Sequence, residues 1–298
     1  MLGVWRLQLL REVGRRGTIK AAAAALSITP SAVSQQLRIL ESEAGVPLLE
    51  HHGRLVRLTE AGQRLAAHAE TVLAALDAAE SDLATLRDDV AGTLRVAAFP
   101  TAARALLPGA IAALGRRHPG LRITLRDLET RESLAALHLD EVDLAVVDEY
   151  DESTRVSEAG LEVLPLLRDP IHVALPAELA ARGTGSRPIA LTDLRDEPWI
   201  MDTEASSIYQ AVSRACRLAG FEPTVRSNCK DYSVIIALVE AGLGVAALPG
   251  LALRDRPIRA IVAPVDPPLE RTVLVAVKPE RRHHPAVAAM LAELGRTM

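Results

Sequence analysis

The chain has 298 residues, of which 49% are hydrophobic and 24% are charged, and its net charge is −4 at neutral pH. This length allows two or three domains with separate cores, and the small negative charge excludes a globally basic nucleic-acid binder. No apolar run reaches the roughly 18 residues that a membrane span needs, and Leu7–Leu10 is too short for a secretory signal. We therefore expect a cytoplasmic protein with no membrane partner.

Residues 18–62 carry the strongest functional signal. An alanine-rich helix is followed by a tight turn at Ser27 and by a second helix, which has Pro30 at its first position. In this second helix Val33, Leu37 and Leu40 recur at helical spacing and therefore face inward. Hydroxyl, amide and guanidinium groups remain on the outer face, and such a helix can enter a DNA major groove. We expect DNA contacts from Thr18, Lys20, Thr29, Pro30, Ser31, Ser34, Gln35 and Arg38.

The distribution of charge along the chain agrees with a local DNA contact. Residues 1–62 hold eight Lys or Arg against five Asp or Glu, which leaves a net charge of −7 on the remainder. Ser34, Gln35 and Arg38 are expected to read base edges, while Thr29 and Ser31 are expected to bind phosphates. The sequence therefore predicts double-stranded DNA as a partner. A helix–turn–helix that serves only for protein interaction is the alternative.

Four motifs in this stretch resemble those of LysR-type transcriptional regulators. They are the segments Ala22–Leu26, Pro30–Glu41, Gly45–Leu49 and Leu58–Gly62, and their spacing is unbroken over about forty-five residues. The resemblance implies a winged helix–turn–helix. Where the family usually has Phe-Glu-Arg in the wing, this chain has Leu49-Glu50-His51. We expect Arg54 to bind phosphate in place of the missing arginine.

Residues 64–88 contain no Gly or Pro and predict one long helix. Its apolar residues alternate by four and three positions, which is the heptad pattern of a helix that pairs with a second chain. The alternative is a single amphipathic helix that packs on its own domain. The resemblance implies that this linker helix joins two DNA-binding heads, in a homodimer or a homotetramer. The expected dimerisation residues are Leu65, Val72, Leu76, Leu83 and Leu86.

From Gly92 onward strands alternate with helices, which predicts a mostly parallel α/β sheet. A late strand at Thr272–Val277 and a helix at Ala286–Leu294 are expected to return to the first sheet. Looser motifs at 94–98, 118–119, 142–145 and 242–245 resemble the two-lobed, periplasmic-binding-protein-like effector domain of the same family. The predicted domains are a winged helix–turn–helix head at 1–62, a linker helix at 63–90 and an effector-binding domain at 91–298, with lobe I at 91–166 and 268–298 and lobe II at 167–267.

Ligands of open α/β sheets bind beyond the carboxyl ends of the strands, in the crevice between lobes. The resemblance implies that segments at two of these strand ends supply hydroxyls to the effector, here from Thr101, Thr203 and Ser206. Aromatic residues beside the strand ends either contact the effector or fill the interface between the lobes. The complete predicted effector site consists of Phe99, Thr101, Ala102, Asp148, Asp202, Thr203, Ser206, Asp231 and Tyr232.

Several residues at these strand ends are acidic. Carboxylates that face one cleft attract a cation and repel an organic acid, so the expected effector is a small molecule with a positive group, such as an amine. The alternative is that the same acids cap helices, as Asp202 or Asp231 could.

The sequence contains no nucleophile elbow, no phosphate-binding glycine loop and no metal-ligand spacing, so we expect no enzyme activity, catalytic residue, cofactor or metal. The predicted function is a DNA-binding transcriptional regulator whose DNA contacts are modulated by a small-molecule effector. The alternative is a thiol-based redox sensor of the same architecture that uses Cys216 and Cys229, the only two cysteines. Because Cys216 falls within an apolar part of a predicted helix, a buried structural thiol is the better interpretation.

Overall fold

The computed structural model describes residues 1–52, 55–85, 90–150, 156, 159–180, 188–255 and 257–296. The chain divides into two compact units. One comprises Met1–Val90, His138–Glu141 and Glu280–Ala288, and the other comprises Ala91–Leu137, Val142–Pro279 and Ala289–Met298. No helix within the described ranges is long and apolar enough to cross a membrane.

The N-terminal head consists of four helices and a two-stranded wing. The helices are α1 (Val4–Arg16), α2 (Ile19–Ala25), α3 (Pro30–Ala44) and α4 (Glu60–Thr85), and the wing strands are β1 (Leu49–His52) and β2 (Leu55–Leu58). Thr18 and Thr29 each cap the helix that follows, and Gly45 ends α3 in the left-handed conformation, with φ of 71°. The strands β1 and β2 pair antiparallel. This arrangement confirms the predicted winged helix–turn–helix.

A single apolar core holds the head together. Leu10 and Val13 of α1 pack with Val33, Leu37 and Leu40 of α3, and all five side chains are buried. The start of α4 closes this core: a Cβ at Gly62 would collide with the backbone carbonyl of Leu48, so only glycine allows this close approach. Arg15 also pairs with Glu70 at 2.8 Å, which ties α1 to α4.

The effector domain contains ten strands and eight α-helices in the part of the chain that is described. The strands are β3 (Gly92–Ala98), β4 (Leu121–Asp127), β5 (Leu144–Glu149), β6 (Glu162–Leu175), β7 (Ile189–Ala190), β8 (Pro198–Met201), β9 (Thr224–Asn228), β10 (Ala246–Pro249), β11 (Ile261–Asp266) and β12 (Glu270–Val277). The helices are α5 (Pro100–Ala105), α6 (Leu107–Arg117), α7 (Thr130–His138), α8 (Ala177–Ala180), α9 (Ser207–Leu218), α10 (Tyr232–Glu240), α11 (Gly250–Leu253) and α12 (Pro285–Arg296).

Strand β6 passes from the first lobe into the second. Its first half pairs with β12, and its second half pairs with β10 and β11. The main sheet has the order β4-β3-β5-β12-β6-β11-β7, in which β3, β4 and β5 are parallel, and β8 pairs with β9 in a separate parallel sheet. The prediction of a mostly parallel sheet is wrong: the main sheet is mixed, because β12 pairs antiparallel with β5 and β6, and β10 and β11 pair antiparallel with β6. The two-lobed α/β architecture of the effector domain is confirmed.

Candidate functional site

Helix α3 has an apolar face that is buried in the head and a polar face that is exposed. Gln35 and Arg38 are exposed, Ser34 is half-buried, and Val33 and Leu37 on the opposite face are buried. Thr29, Pro30 and Ser31 at the start of α3 are also exposed, as is Lys20 near the start of α2. These two helix starts therefore present polar side chains from the same helix–turn–helix.

Three of the predicted DNA-contacting hydroxyls also bond to the backbone of their own helix. Thr18 accepts a hydrogen bond from the Ala21 amide at 3.1 Å, and Thr29 accepts one from the Ala32 amide at 3.2 Å. Ser34 donates to the carbonyl of Pro30 at 3.0 Å. Arg54, which was expected to bind phosphate from the wing, lies outside the described residues.

The predicted seam on α4, which is the apolar face formed by its heptad positions, has two parts. Leu65 and Ala69 pack into the core of the head, where Ala69 is fully buried. Farther along the helix, Val72, Leu76 and Leu83 are 40%, 42% and 58% exposed. Leu86 lies outside the described residues. The apolar surface that α4 leaves uncovered therefore begins at Val72.

A cleft lies between the two lobes of the effector domain. Six predicted effector residues line it, namely Phe99, Thr101, Asp148, Asp202, Ser206 and Tyr232. Asp231 lines the adjoining groove, whereas Ala102 is fully buried in α5 and Thr203 lines neither. Seven further lining residues are not among the predicted effector residues: Pro100, Glu129, Tyr150, Ser207, Ile208, Lys230 and Arg271.

Arg271 is the centre of a buried polar network at this cleft. Its side chain is 2% exposed and donates to Asp169 at 2.7 and 2.9 Å and to Asp148 at 3.0 Å. The same guanidinium donates to the hydroxyl of Thr101 at 2.7 Å and lies 4.7 Å from the centroid of the Phe99 ring. Burial alone lowers the pKa of Arg271, but Tyr150, Asp148 and Asp169 raise the pKa above its ordinary value.

This network joins β6, the strand that passes between the lobes, to β12. Asp169 of β6 and Arg271 of β12 are direct partners in the antiparallel ladder. The second carboxylate oxygen of Asp169 accepts a hydrogen bond from the amide of Leu251 at 2.9 Å. A Cβ at Gly250 would lie only 2.7 Å from this oxygen, which explains why glycine precedes Leu251. Asp148 is also held, because it accepts a hydrogen bond from the Thr130 hydroxyl at 2.6 Å.

Two carboxylates that line the cleft, those of Glu129 and Asp202, do not belong to the Arg271 network. Partial burial, with the negative charges of Asp148 and Asp202, raises the pKa of Glu129 to about 7. Burial also raises the pKa of Asp202, although its oxygen accepts hydrogen bonds from the amide and hydroxyl of Thr203 and Lys230 lies close enough to oppose the shift. Asp231 instead caps α10 by accepting from the amide of Ser233 at 2.7 Å, and Ser206 caps α9.

The two cysteines occupy different environments. Cys216 is fully buried in the core of the second lobe, and burial raises the pKa of its thiol to about 12. Cys229 is half-buried. Among the described residues, no group of His, Cys, Asp and Glu has the arrangement of a metal site.

The N-terminal head and the effector domain each match a model of a known protein family. Residues 5–63 match the family model for the bacterial regulatory helix-turn-helix protein of the lysR family, and residues 87–298 match that for the LysR substrate binding domain. A similar relative is the transcriptional dual regulator GltC of Bacillus subtilis, 30% identical over 282 residues that cover 93% of this chain and 91% of GltC. The hydrogen peroxide-inducible genes activator of Dickeya chrysanthemi is 28% identical over 276 residues, which are 92% of this chain and 88% of that protein.

Solved structures share the fold at lower identity. A full-length OxyR variant from Pseudomonas aeruginosa has a TM-score of 0.75 and 23% identity, covering 99% of this chain and 95% of that one. CbnR in complex with its target DNA has a TM-score of 0.57 and 21% identity, covering 99% and 100%. With both family models matched along the chain, this protein belongs to the LysR family of DNA-binding transcriptional regulators and carries an effector domain.

Proposed function

We propose that this protein regulates transcription as a dimer whose heads read two DNA half-sites, and that a small molecule in the interlobe cleft modulates this DNA contact. The observation that carries the proposal is the division of α3 into two faces. Gln35 and Arg38 are exposed, whereas Val33, Leu37 and Leu40 anchor the helix in the head. A rigidly held helix with amide and guanidinium groups outward has the chemistry that reads base edges.

The exposed part of α4 supports the dimer. Val72, Leu76 and Leu83 recur at heptad spacing and remain between 40% and 58% exposed in the single chain. Pairing with a second copy of α4 would remove this apolar surface from water, which stabilises association by roughly 25 cal/mol per Å² buried. Leu65 packs in the core of the head instead. Of the predicted dimerisation residues that the structure describes, Val72, Leu76 and Leu83 therefore form the proposed interface.

The cleft supports the binding of a small molecule. It lies where two α/β lobes meet, and hydroxyl, aromatic and charged side chains converge on it. A ligand that contacts both lobes shifts the equilibrium between two arrangements of the lobes only if it binds one arrangement more tightly than the other. We assign the cleft to effector binding and give no residue a catalytic role.

Selection of DNA from a random duplex library by the full chain tests the proposal. We expect enrichment of sites with two related half-sites, as a two-fold symmetric reader requires. The Gln35→Ala variant should enrich a less restricted sequence set, and the Gln8→Ala variant on α1 serves as the control. Failure of the unaltered chain to enrich any sequence would refute the proposed function.

A redox-sensing regulator is the second candidate, and similarity to hydrogen peroxide-inducible genes activators favours it. Thiols react with peroxide as thiolates, and a pKa of about 12 leaves almost no thiolate on Cys216 at neutral pH. We therefore expect peroxide to leave DNA binding unchanged, both in the unaltered chain and in the Cys216→Ser and Cys229→Ser variants. A peroxide response that either substitution removes would establish this second candidate.

A further inference from the structure

The charge of Arg271 is already neutralised within the protein. Two carboxylates, Asp148 and Asp169, accept hydrogen bonds from its guanidinium, and the Thr101 hydroxyl accepts another. An anionic ligand could use this cation only by displacing one of these buried partners, which would then lose its own hydrogen bonds. Although Arg271 lines the cleft, it is therefore not available as an anion-binding group.

Two further carboxylates of the cleft, which do not contact Arg271, lie on opposite lobes. Glu129 follows β4 in the first lobe, and Asp202 follows β8 in the second. The two are close enough for the charge of Asp202 to act on Glu129, and no donor in the described part of the chain bonds the Glu129 carboxylate. The rings of Phe99 and Tyr232 line the same cleft. Two facing carboxylates with aromatic walls suit a compact organic cation.

We propose that the effector of this protein is a small organic cation, most simply a primary ammonium, which Glu129 and Asp202 bind together from the two lobes. This inference rests on the proposed function, because the cleft is taken as the effector site. From the acidic side chains we infer only that the ligand in the cleft carries a positive charge. A cation between the two carboxylates also relieves their mutual repulsion and so favours approach of the lobes.

Lys230 distinguishes a cation site from an anion site. It lines the cleft, and its positive charge acts on Asp202. In a cation site Lys230 competes with the ligand, so Lys230→Met should strengthen amine binding by about two- to fivefold, the range of an exposed charge interaction. In an anion site Lys230 would be the available basic group, and the same substitution would weaken binding.

Protonation of Glu129 gives a second signature. With its pKa at about 7, the carboxyl is roughly one-tenth ionised at pH 6 and nine-tenths ionised at pH 8. An alkylamine keeps its charge over this range, so its affinity should rise about tenfold from pH 6 to pH 8. The charged groups around Glu129 are Asp127 on β4, Glu132 on α7, Asp148 on β5, Arg271 on β12, Asp202, Lys230 and Asp231 in the second lobe, and Arg104 on α5.

The test measures binding of matched probes to the full chain by calorimetry at pH 6 and pH 8. The probes are butylamine, butyrate and 1-butanol, and phenethylamine, 3-phenylpropionate and 2-phenylethanol. The variants are Glu129→Gln, Asp202→Asn and Lys230→Met, with Glu178→Gln and Asp193→Asn as controls, since these two acids are exposed and line none of the cleft. Specific DNA binding by the ligand-free chain is measured in parallel.

We expect the amines to bind in preference to the acids and alcohols. Glu129→Gln and Asp202→Asn should each weaken amine binding about tenfold or more at pH 8, and Glu129→Gln should remove the pH dependence. Binding of carboxylates alone, or of neither class, overturns the inference, as does weaker amine binding by Lys230→Met. If DNA is bound specifically while these results go against amines, only the inference fails; if DNA is not bound specifically, the proposed function itself fails.

Discussion

The recognition helix α3 and the cleft around Arg271 hold their polar side chains under opposite conditions. On α3, Gln35 and Arg38 are exposed. In the cleft Arg271 is 2% exposed, and its partners Asp169 and Thr101 are 102 and 170 positions distant in the chain. One region presents its polar groups outward, and the other satisfies them internally.

This difference decides what each region offers to a partner. An exposed polar face keeps its donors and acceptors available, so its substitution should alter DNA binding more than folding. A buried ion network is already satisfied, so its substitution should alter folding, and a ligand meets only the groups that the network leaves over. In this cleft those groups are Glu129, Asp202 and Lys230.

Removal of the Arg271 guanidinium should have the largest effect. In Arg271→Met, Asp148 and Asp169 stay buried without their cation, which should lower the free energy of unfolding by about 3–5 kcal/mol. Urea unfolding followed by circular dichroism measures this change. Arg168→Met on β6 is the control, because Arg168 pairs with Glu270 while its side chain is 76% exposed, and we expect a loss below about 1 kcal/mol. Equal losses in the two variants would contradict a buried network.

A charge in the exposed seam of α4 should have the next largest effect. Leu76→Asp places a carboxylate within the proposed dimer interface, where it lacks a partner. Sedimentation should show loss of the dimer, or a dimer held only by the effector domains. Affinity for two-half-site DNA should fall on the order of 100-fold, because the second head no longer binds as part of the same particle.

Leu218→Asp is the matched control for the seam. Leu218 is 81% exposed at the end of α9. The same change from leucine to aspartate there adds a surface charge but leaves α4 unaltered. It should leave both the dimer and DNA affinity intact. Should Leu76→Asp remain fully dimeric with normal DNA affinity, the helix would be an intradomain element, as its first turns already are at Leu65 and Ala69.

The fold of the head could be predicted from the sequence because its signals lie close together in the chain. The capping hydroxyl, Pro30 and the apolar positions of α3 all lie within one short stretch, so helical periodicity alone indicates which side chains face outward. The division of α4 was less predictable. The heptad pattern is continuous, but only the packed head shows that Leu65 and Ala69 are used within the domain.

The cleft could be predicted only in part, because its contacts join distant segments. The rule that ligands lie beyond strand ends identified Asp148 and Asp202, and the same rule applied to β4 points to Glu129. Arg271 has no comparable signal. It lies near the start of a strand between Glu270 and Thr272, and only the pairing of β6 with β12 brings it to Asp169. The pairing of β12 with β5 also brings Arg271 to Asp148, which is therefore a structural partner rather than an available ligand group.

Gln35 tests whether the exposed face of α3 reads bases. A side-chain contact to a base edge contributes roughly 1–3 kcal/mol of discrimination, so Gln35→Ala should relax preference at one position of each half-site. Competition binding with single-base variants of the selected DNA measures this effect. Gln36→Ala is the control, because adjacent helical residues point in different directions and Gln36 is half-buried. An identical preference profile for Gln35→Ala and the unaltered chain would contradict the groove assignment.

Thr29 should give the smallest effect, and it separates a capping role from a DNA contact. Its hydroxyl oxygen accepts the Ala32 amide, so Thr29→Ala should lower the free energy of unfolding by about 1 kcal/mol, while Thr29→Ser keeps the cap. Ser31→Ala removes an exposed hydroxyl that hydrogen-bonds to the Thr29 hydroxyl at 3.0 Å but caps no described backbone amide, so stability should change by less than about 0.5 kcal/mol. Urea unfolding and DNA titration of the same samples compare the two roles. If Thr29→Ala folds as stably as the unaltered chain but binds DNA less tightly, the hydroxyl serves DNA alone. Loss of both, with recovery of both in Thr29→Ser, shows that one oxygen orders the first turn of α3 and thereby positions the helix on phosphate.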